Sequence, residues 1–417
     1  MYVQRIVDQE LDQRLSAAGA LVIEGARACG KTATARQRAA SEVLLDVDYS
    51  AREMFPLDPS AVLDGATPRL LDEWQVVPSI WNQVRRAVDD RGLPGQFILT
   101  GSAVPNDDVA RHTGAGRFAT LRMRPMTLYE SGLSDGAVSL RALMNGQPMA
   151  IQEPSLTVAQ IADSLTVGGW PAQRAATMQQ GAQAARAYLQ QVIQIDLPRL
   201  DPNTRMRDPA KVRQLITSIA RNISTEASLA TLSKDAGEPG TPLHKATTAH
   251  YLTALQRLML VEEQPAWAPH LRSSATLRQA AKHHFVDPSL AMAALNATPD
   301  RLRSDYNTFG LMFESLVIRD LRVYSQNIQG QVFHYRDDYG REVDAIVALD
   351  DGRWAAFEVK LGANKIEEAA AALTKFSRDI DTSITGSPVS LAVITATGYS
   401  HRRADGIDVI PIGALGP

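Results

Sequence analysis

Ala20-Leu21-Val22-Ile23-Glu24-Gly25-Ala26-Arg27-Ala28-Cys29-Gly30-Lys31-Thr32 decides the fold. The apolar run Ala20 to Ile23 reads as a short strand ended by Gly25, and Lys31 to Ala40 has helix-forming composition. A strand, a loop with a glycine at each end and a helix let backbone N–H groups converge on phosphate oxygens at the positive end of the helix dipole. Gly25, Ala28, Cys29, Gly30 and Ala33 then line the cradle, Lys31 reaches the β and γ phosphates, and Thr32 holds Mg²⁺. The bland alternative, a glycine turn before a surface helix, is disfavoured by those flanks.

Working outward, short apolar runs recur at Val43-Leu44-Leu45, Leu70-Leu71 and Phe97-Ile98-Leu99, separated by helical stretches such as Ile80 to Asp89. That alternation predicts an α/β fold with a parallel sheet wrapped by helices. Asp72-Glu73 follows one of these runs: Asp72 is placed to accept the Mg²⁺ water shell and Glu73 to polarise the attacking water. Taken alone, an acidic pair after leucines is a solvated strand end; its position downstream of the loop raises it. Thr100-Gly101-Ser102 ends a further strand, where Thr100 or Ser102 can sense the γ-phosphate or hold the lytic water. Arg117, after Gly114-Ala115-Gly116, is a candidate for stabilising charge on the transferring phosphoryl group, in cis or from a neighbouring subunit; the competing reading is a surface ion pair.

Composition bounds the rest. A chain of 417 residues exceeds one ordinary core, so two or three domains are expected. With 43 basic and 46 acidic residues, the overall field does not advertise nucleic-acid binding, and any such contact must come from a local patch. The single cysteine, Cys29, excludes an internal disulfide and a cysteine-based zinc site, and it fits a reducing compartment. The N-terminus lacks a secretory apolar run, and no stretch of about 20 uncharged apolar residues occurs to span a bilayer. A soluble cytoplasmic protein without a membrane partner is expected.

The motifs divide the chain into residues 1–150, a P-loop ATPase domain; 151–300, a helical and winged-helix-like region; and 301–417, a C-terminal α/β domain. In the middle region Gln179 to Leu197 and Pro209 to Ile223 read as helices. Ser228 to Lys234, a Gly/Pro turn and Thr247 to Leu258 suggest a helix-turn-helix, with Met259 to Glu263 as a possible wing. Arg272, Arg278, Lys282 and His283 form a modest basic stretch, read chiefly as solvated surface, with Trp267 and Phe285 beside it as core. His112 and His283-His284 lack the spacing of a helical metal pair and read as surface or packing residues.

In these motifs the sequence resembles the bacterial and archaeal AAA-type ATPases (AAA_14) that carry a C-terminal domain of unknown function, DUF4143. The resemblance rests on the P-loop, Asp72-Glu73-Trp74-Gln75, Thr100-Gly101-Ser102, Gly116-Arg117, Arg124-Pro125-Met126-Thr127-Leu128-Tyr129-Glu130 and Gly168-Gly169-Trp170-Pro171, and it spans nearly the whole chain. It implies ATP and Mg²⁺ as cofactors and assembly into rings or other homo-oligomers. Ala26, where relatives carry proline, and Cys29 depart from the pattern; neither side chain is expected to touch the nucleotide.

After Phe309 a helix through Val323 is expected, then strands at Gln331 to Tyr335, Glu342 to Leu349 and Trp354 to Val359. Side chains alternate along a strand, so Glu358 and Lys360 share a face, and Asp344 on the adjacent antiparallel strand comes beside them. Glu314, from the preceding helix, is a candidate fourth member. Converging carboxylates and a lysine can hold Mg²⁺ or Mn²⁺ and position a water for phosphodiester hydrolysis. This constellation resembles the PD-(D/E)xK nuclease fold, which implies Asp344, Glu358 and Lys360 as catalytic and Glu314, Asp344 and Glu358 as metal ligands. The alternative is a hairpin in which lysine neutralises the carboxylates and no metal binds. Two functions follow: an ATPase coupled to DNA binding or processing through the C-terminal domain, or a nucleotide-dependent switch or assembly protein whose C-terminal domain is a non-catalytic contact surface.

Overall fold

The computed structural model describes residues 2–102, 113–149, 151–153, 156–200, 208–237, 241–269, 280–337 and 340–417. Near the N-terminus, the helix Val7–Ala17 leads into β1 (Ala20–Gly25). Joined to β2 (Ser41–Leu44), β3 (Arg69–Asp72), β4 (Phe97–Gly101) and β5 (Phe118–Met123), it forms a sheet in the order β2-β3-β4-β1-β5. Every neighbouring pair in it is parallel. The expected parallel sheet is therefore present, and its apolar runs are the strands.

β5 carries no apolar run and was not legible beforehand. It is an edge strand in which Leu121 and Met123 are buried while Thr120 faces out, so the sequence alternates instead of reading as continuous hydrophobe. The helix after the loop is shorter than its composition suggested: it runs Lys31–Ala35 and gives way to turns before β2.

The middle region is helical as expected. Helices Val158–Val167, Met178–Gln191 and Pro209–Arg221 are followed by Leu229–Asp235 and Lys245–Arg257, two helices near the places expected for the helix-turn-helix. After the short strand β6 (Val138–Ser139), the next strands are β7 (Val261–Gln264) and β8 (Lys282–Phe285), an antiparallel pair at the place of the wing. The pair does not project: β8 is buried along its length, and an isolated bridge from Ala266 to His334 ties it to the C-terminal region. Lys282, read from sequence as solvated, is 2% exposed. Trp267 and Phe285 are core, and His283 and His284 are buried packing residues. His112, Arg272 and Arg278 lie outside the described residues.

The C-terminal region is built on the helix Tyr306–Gln326, which buries residues on every face from Met312 to Ser325. Strands β9 (Gly330–Arg336), β10 (Glu342–Leu349), β11 (Trp354–Lys360), β12 (Ser390–Thr395), β13 (His401–Arg402) and β14 (Asp408–Pro411) form a mixed sheet in the order β13-β14-β12-β11-β10-β9. The final strand, β15 (Leu415–Gly416), leaves that sheet to pair in parallel with β6. One apolar cluster runs from Leu11 and Ile23 through Leu215 to Phe313 and Phe357, so a single core crosses all three regions.

Glu262 on β7 joins the regions electrostatically. Its buried carboxylate meets Arg122 at 3.0 Å, Arg124 at 2.9 Å and Arg322 at 3.0 Å. Burial alone would raise its pKa; the three guanidinium groups overcome that and hold it far below the ordinary carboxylate range. Removing one partner of such a pair strands the remaining charges in low dielectric. Glu262→Gln should therefore lower stability to unfolding by about 3 kcal/mol, read by urea titration. A loss under about 0.5 kcal/mol, as for an ordinary surface site, would contradict it.

Candidate functional site

Gly25 ends β1 pressed against β5, where an added Cβ would lie 2.2 Å from the Met123 carbonyl oxygen, so only glycine fits. Gly30 has φ of +107°, the left-handed conformation that turns the chain into the helix Lys31–Ala35. The side chains of Ala26 and Cys29 are fully buried beneath the loop, with the Cys29 thiol 3.6 Å from the Met123 carbonyl oxygen. Both departures from the usual loop sequence thus point inward. Lys31 folds across the loop, donating to the carbonyl oxygens of Gly25 at 2.9 Å and Ala26 at 3.0 Å. An incoming phosphate would replace these carbonyls as the ammonium's partner.

Strand order brings the acidic residues to the loop. β3 lies two places from β1 with β4 between them, and all three end on the same side, so Asp72, Thr100 and the loop share one crevice at the carboxyl ends of the strands. The Thr32 hydroxyl donates to Asp72 at 2.8 Å, and the Thr100 hydroxyl donates to the same Asp72 oxygen. Thr32 and Asp72 together present the oxygens that a Mg²⁺ bound with ATP requires, so the donor set fits that ion. Glu73, in a left-handed conformation at φ of +54°, accepts from Ser102 at 3.1 Å and from the Gln75 amide. Gln75 was not singled out from sequence as a site residue; its place in the Asp-Glu-Trp-Gln run was the available signal.

Arg5 was also missed. It is buried, pairs with Glu130 at 2.9 Å, and donates to the Cys29 carbonyl oxygen at 3.0 Å and the Arg124 carbonyl oxygen at 2.9 Å. Glu130 and Thr127 form a capping box at the start of the helix Leu128–Ser131. The Tyr129-Glu130 landmark therefore supports the P-loop from below. From above, the middle region reaches it: Arg27 pairs with Asp196 at 2.6 Å, and the Pro171 ring lies near Gly30.

Arg117 does not join this group. It precedes β5, whose far end reaches the loop, and six residues of strand put about 20 Å between those ends. Its guanidinium pairs with Asp89 at 2.8 Å, at the opposite end of the strands from the loop. The competing reading, a surface ion pair, is the arrangement Arg117 has here, and the distance separates it from its own chain's loop.

In the C-terminal region the expected convergence is present. The register Ala345↔Phe357 sets Asp344 beside Glu358, and an irregularity between Val343 and Ile346 re-aims the strand there. Lys360 contacts Glu358 at 2.6 Å and Asp344 at 3.1 Å, while Asp344 also accepts from the Val359 N–H at 2.8 Å. Glu314 arrives from the long helix, but its partner is Lys282, at 2.9 Å. Lys282 also lies 3.2 Å from Glu342 and 3.9 Å from Asp344.

Burial pushes Glu314 up to about 8 against the pull of Lys282, and burial with the neighbouring Asp344 does the same to Glu358, also about 8. Burial acts likewise on Asp344, but Lys360 and Lys282 overcome it and hold this carboxylate below its ordinary value. A second divalent metal does not fit this arrangement. Lys282 fills the space between Glu314, Glu342 and Asp344, and Lys360 takes the oxygens of Asp344 and Glu358. Among the described residues, no group of three or more His, Cys, Asp or Glu side chains is placed to hold a metal ion.

Three family models match parts of the chain. Residues 17–132 match the family model described as AAA domain, residues 309–415 match DUF4143, and residues 158–301 match another domain of unknown function, DUF8612. Two uncharacterized proteins, one of Mycobacterium bovis and one of Mycobacterium tuberculosis, are each 26% identical over 356 residues, covering 84% of this chain and 72% of the relative. A solved Walker-type ATPase of Pyrococcus abyssi aligns with a TM-score of 0.39 at 12% identity, covering 69% of this chain and 94% of that one. Among the described residues no helix is long and apolar enough to cross a membrane.

The raised Glu314 carboxyl has a consequence for stability. Between the ordinary carboxylate range and about 8, the folded chain holds a proton that the unfolded chain releases, so rising pH favours unfolding across that window. Glu314→Gln removes this dependence. The variant's melting temperature should gain on the wild type's as pH rises through the window; a constant difference would refute the assignment.

Proposed function

We propose, from the premise that an AAA domain is joined here to a DUF4143 domain, that the chain binds ATP with Mg²⁺ and hydrolyses it at the crevice of β1, β3 and β4. The observation that carries this is Asp72, which one hydroxyl reaches from the loop, Thr32, and another from the end of β4, Thr100. Lys31 binds the β and γ phosphates, Thr32 and Asp72 hold Mg²⁺ directly and through its water shell, and the loop backbone from Gly25 to Ala33 cradles the oxygens. Glu73 polarises the lytic water, and Ser102 and Gln75 orient Glu73. Arg117 acts, if anywhere, on the nucleotide of a neighbouring copy in a homo-oligomer.

Two outputs are open to that hydrolysis. One is DNA binding or processing, with the helix-turn-helix against the duplex and Asp344, Glu358 and Lys360 acting on it. The other is a nucleotide-dependent switch whose C-terminal domain is a non-catalytic contact surface. Burial of β8 and the seat of Lys282 among Glu314, Glu342 and Asp344 favour the second. A metal-dependent hydrolytic centre needs those oxygens for its ion.

The test pairs two measurements on the full chain. ATP turnover should be lost in Lys31→Ala with the nucleotide, while Glu73→Gln should keep binding ATP and lose hydrolysis by about 100-fold or more. Wild-type protein without ATP binding overturns the reading. For the output, oligomer size should follow nucleotide and Mn²⁺-dependent DNA cleavage should be absent; cleavage that disappears in Asp344→Ala restores the nuclease reading.

A further inference from the structure

The carboxylate centre of the C-terminal domain contains a cation supplied by another part of the chain. Lys282 stands on β8, within the segment that matches DUF8612, yet its ammonium sits between Glu314 of the long helix and Glu342 and Asp344 of β10. A lysine ammonium has three donors and no acceptor, and three acidic side chains surround this one. Divalent ions bind carboxylate oxygens at about 2.0 to 2.6 Å. A nitrogen already 2.9 Å from Glu314 and 3.2 Å from Glu342 leaves no volume between those oxygens for such an ion.

The lysine is built in from several sides. Gln264, opposite Lys282 in the β7–β8 register, donates its amide to the carbonyl oxygens of Asp344 and Phe333, each at 2.9 Å. His284 bridges the Gln264 side chain at 2.9 Å and Ser315 at 3.2 Å, next to Glu314. The Ser224 N–H reaches the His283 carbonyl oxygen at 3.1 Å, and the Trp267 N–H reaches the His334 carbonyl oxygen at 2.7 Å. These bonds seat the hairpin on the main chain of Asp344 and Phe333 and on Ser315, the neighbour of Glu314. A long flexible side chain folded over a surface would need none of them.

We infer that Lys282 is the resident cation of this centre, an ammonium in the place of a divalent metal, and that the centre accepts a metal only when Lys282 is withdrawn. Docking of the β7–β8 hairpin and metal binding then exclude one another. The middle region, which also touches the P-loop through Arg27 and Asp196, thereby holds the C-terminal centre in a metal-free form. The inference is independent of ATP hydrolysis, because the test is made without nucleotide.

Mn²⁺ binding to the full chain, read by the electron paramagnetic resonance of the free ion, distinguishes the outcomes. The wild type should show no Mn²⁺ uptake that depends on Asp344, judged against Asp344→Asn. Lys282→Met should gain one Mn²⁺ per chain, tighter by at least about tenfold, and lose it again when combined with Asp344→Asn. Uptake by the wild type that Asp344→Asn removes overturns the inference, as does a folded Lys282→Met that binds none. Should Lys282→Met unfold, Mn²⁺ should restore its near-ultraviolet circular dichroism, because a ligand bound only by the native state stabilises that state. Failure of Mn²⁺ to do so also overturns it.

Discussion

Glu262 is the interaction on which the assembly of this chain depends. A carboxylate out of water is tolerable only when paired, and its partners come from β5 and the segment just beyond it, through Arg122 and Arg124, and from the long C-terminal helix, through Arg322. The same helix sends Gln326 to Glu10 at 2.7 Å and to the Arg122 carbonyl oxygen at 2.9 Å. A few residues thus pin the edge of the N-terminal sheet to the middle hairpin and to the C-terminal helix. With one apolar cluster running through all three regions, the regions share a core instead of meeting at a wet interface.

That continuity gives the nucleotide crevice mechanical neighbours. Arg5 ties the Cys29 carbonyl to Glu130, and Leu128, two residues earlier, donates its N–H to Asp320 on the long helix at 3.0 Å. Asp320 pairs with Arg319, which also pairs with Asp287, and Asp287 accepts the Gly169 N–H at 2.9 Å. A route of buried polar contacts therefore leads from the P-loop to the C-terminal helix and back to the Gly168-Gly169-Trp170-Pro171 turn beside Gly30. Spatial continuity is not itself energetic coupling.

Much of this was legible in the sequence because the signals were local. Continuous apolar runs marked β1, β3 and β4, since strands covered on both faces cannot afford polar positions. Period-two alternation placed Glu358 and Lys360 on one face, and antiparallel pairing of the adjacent strand placed Asp344 beside them. Where signals were mixed, reading failed. β5 alternates because it is an edge. β12 to β14 were passed over, and nothing in Val261 to Gln264 says what the buried face of that strand meets.

Sequence alone determined the patterns that depend on neighbours along the chain: the glycine loop from Gly25 to Thr32, the acidic pair Asp72-Glu73 and the Glu358-x-Lys360 strand. Such patterns are set by backbone geometry over a few residues. Tertiary structure alone decided which charges face one another. It carried Arg117 to the far end of the sheet, brought Arg5 beneath the loop, and moved Lys282 from an apparently solvated basic stretch into a nest of carboxylates. A charge has no periodicity to betray its partner; only the packing that excludes water around it determines whether it pairs, and with what.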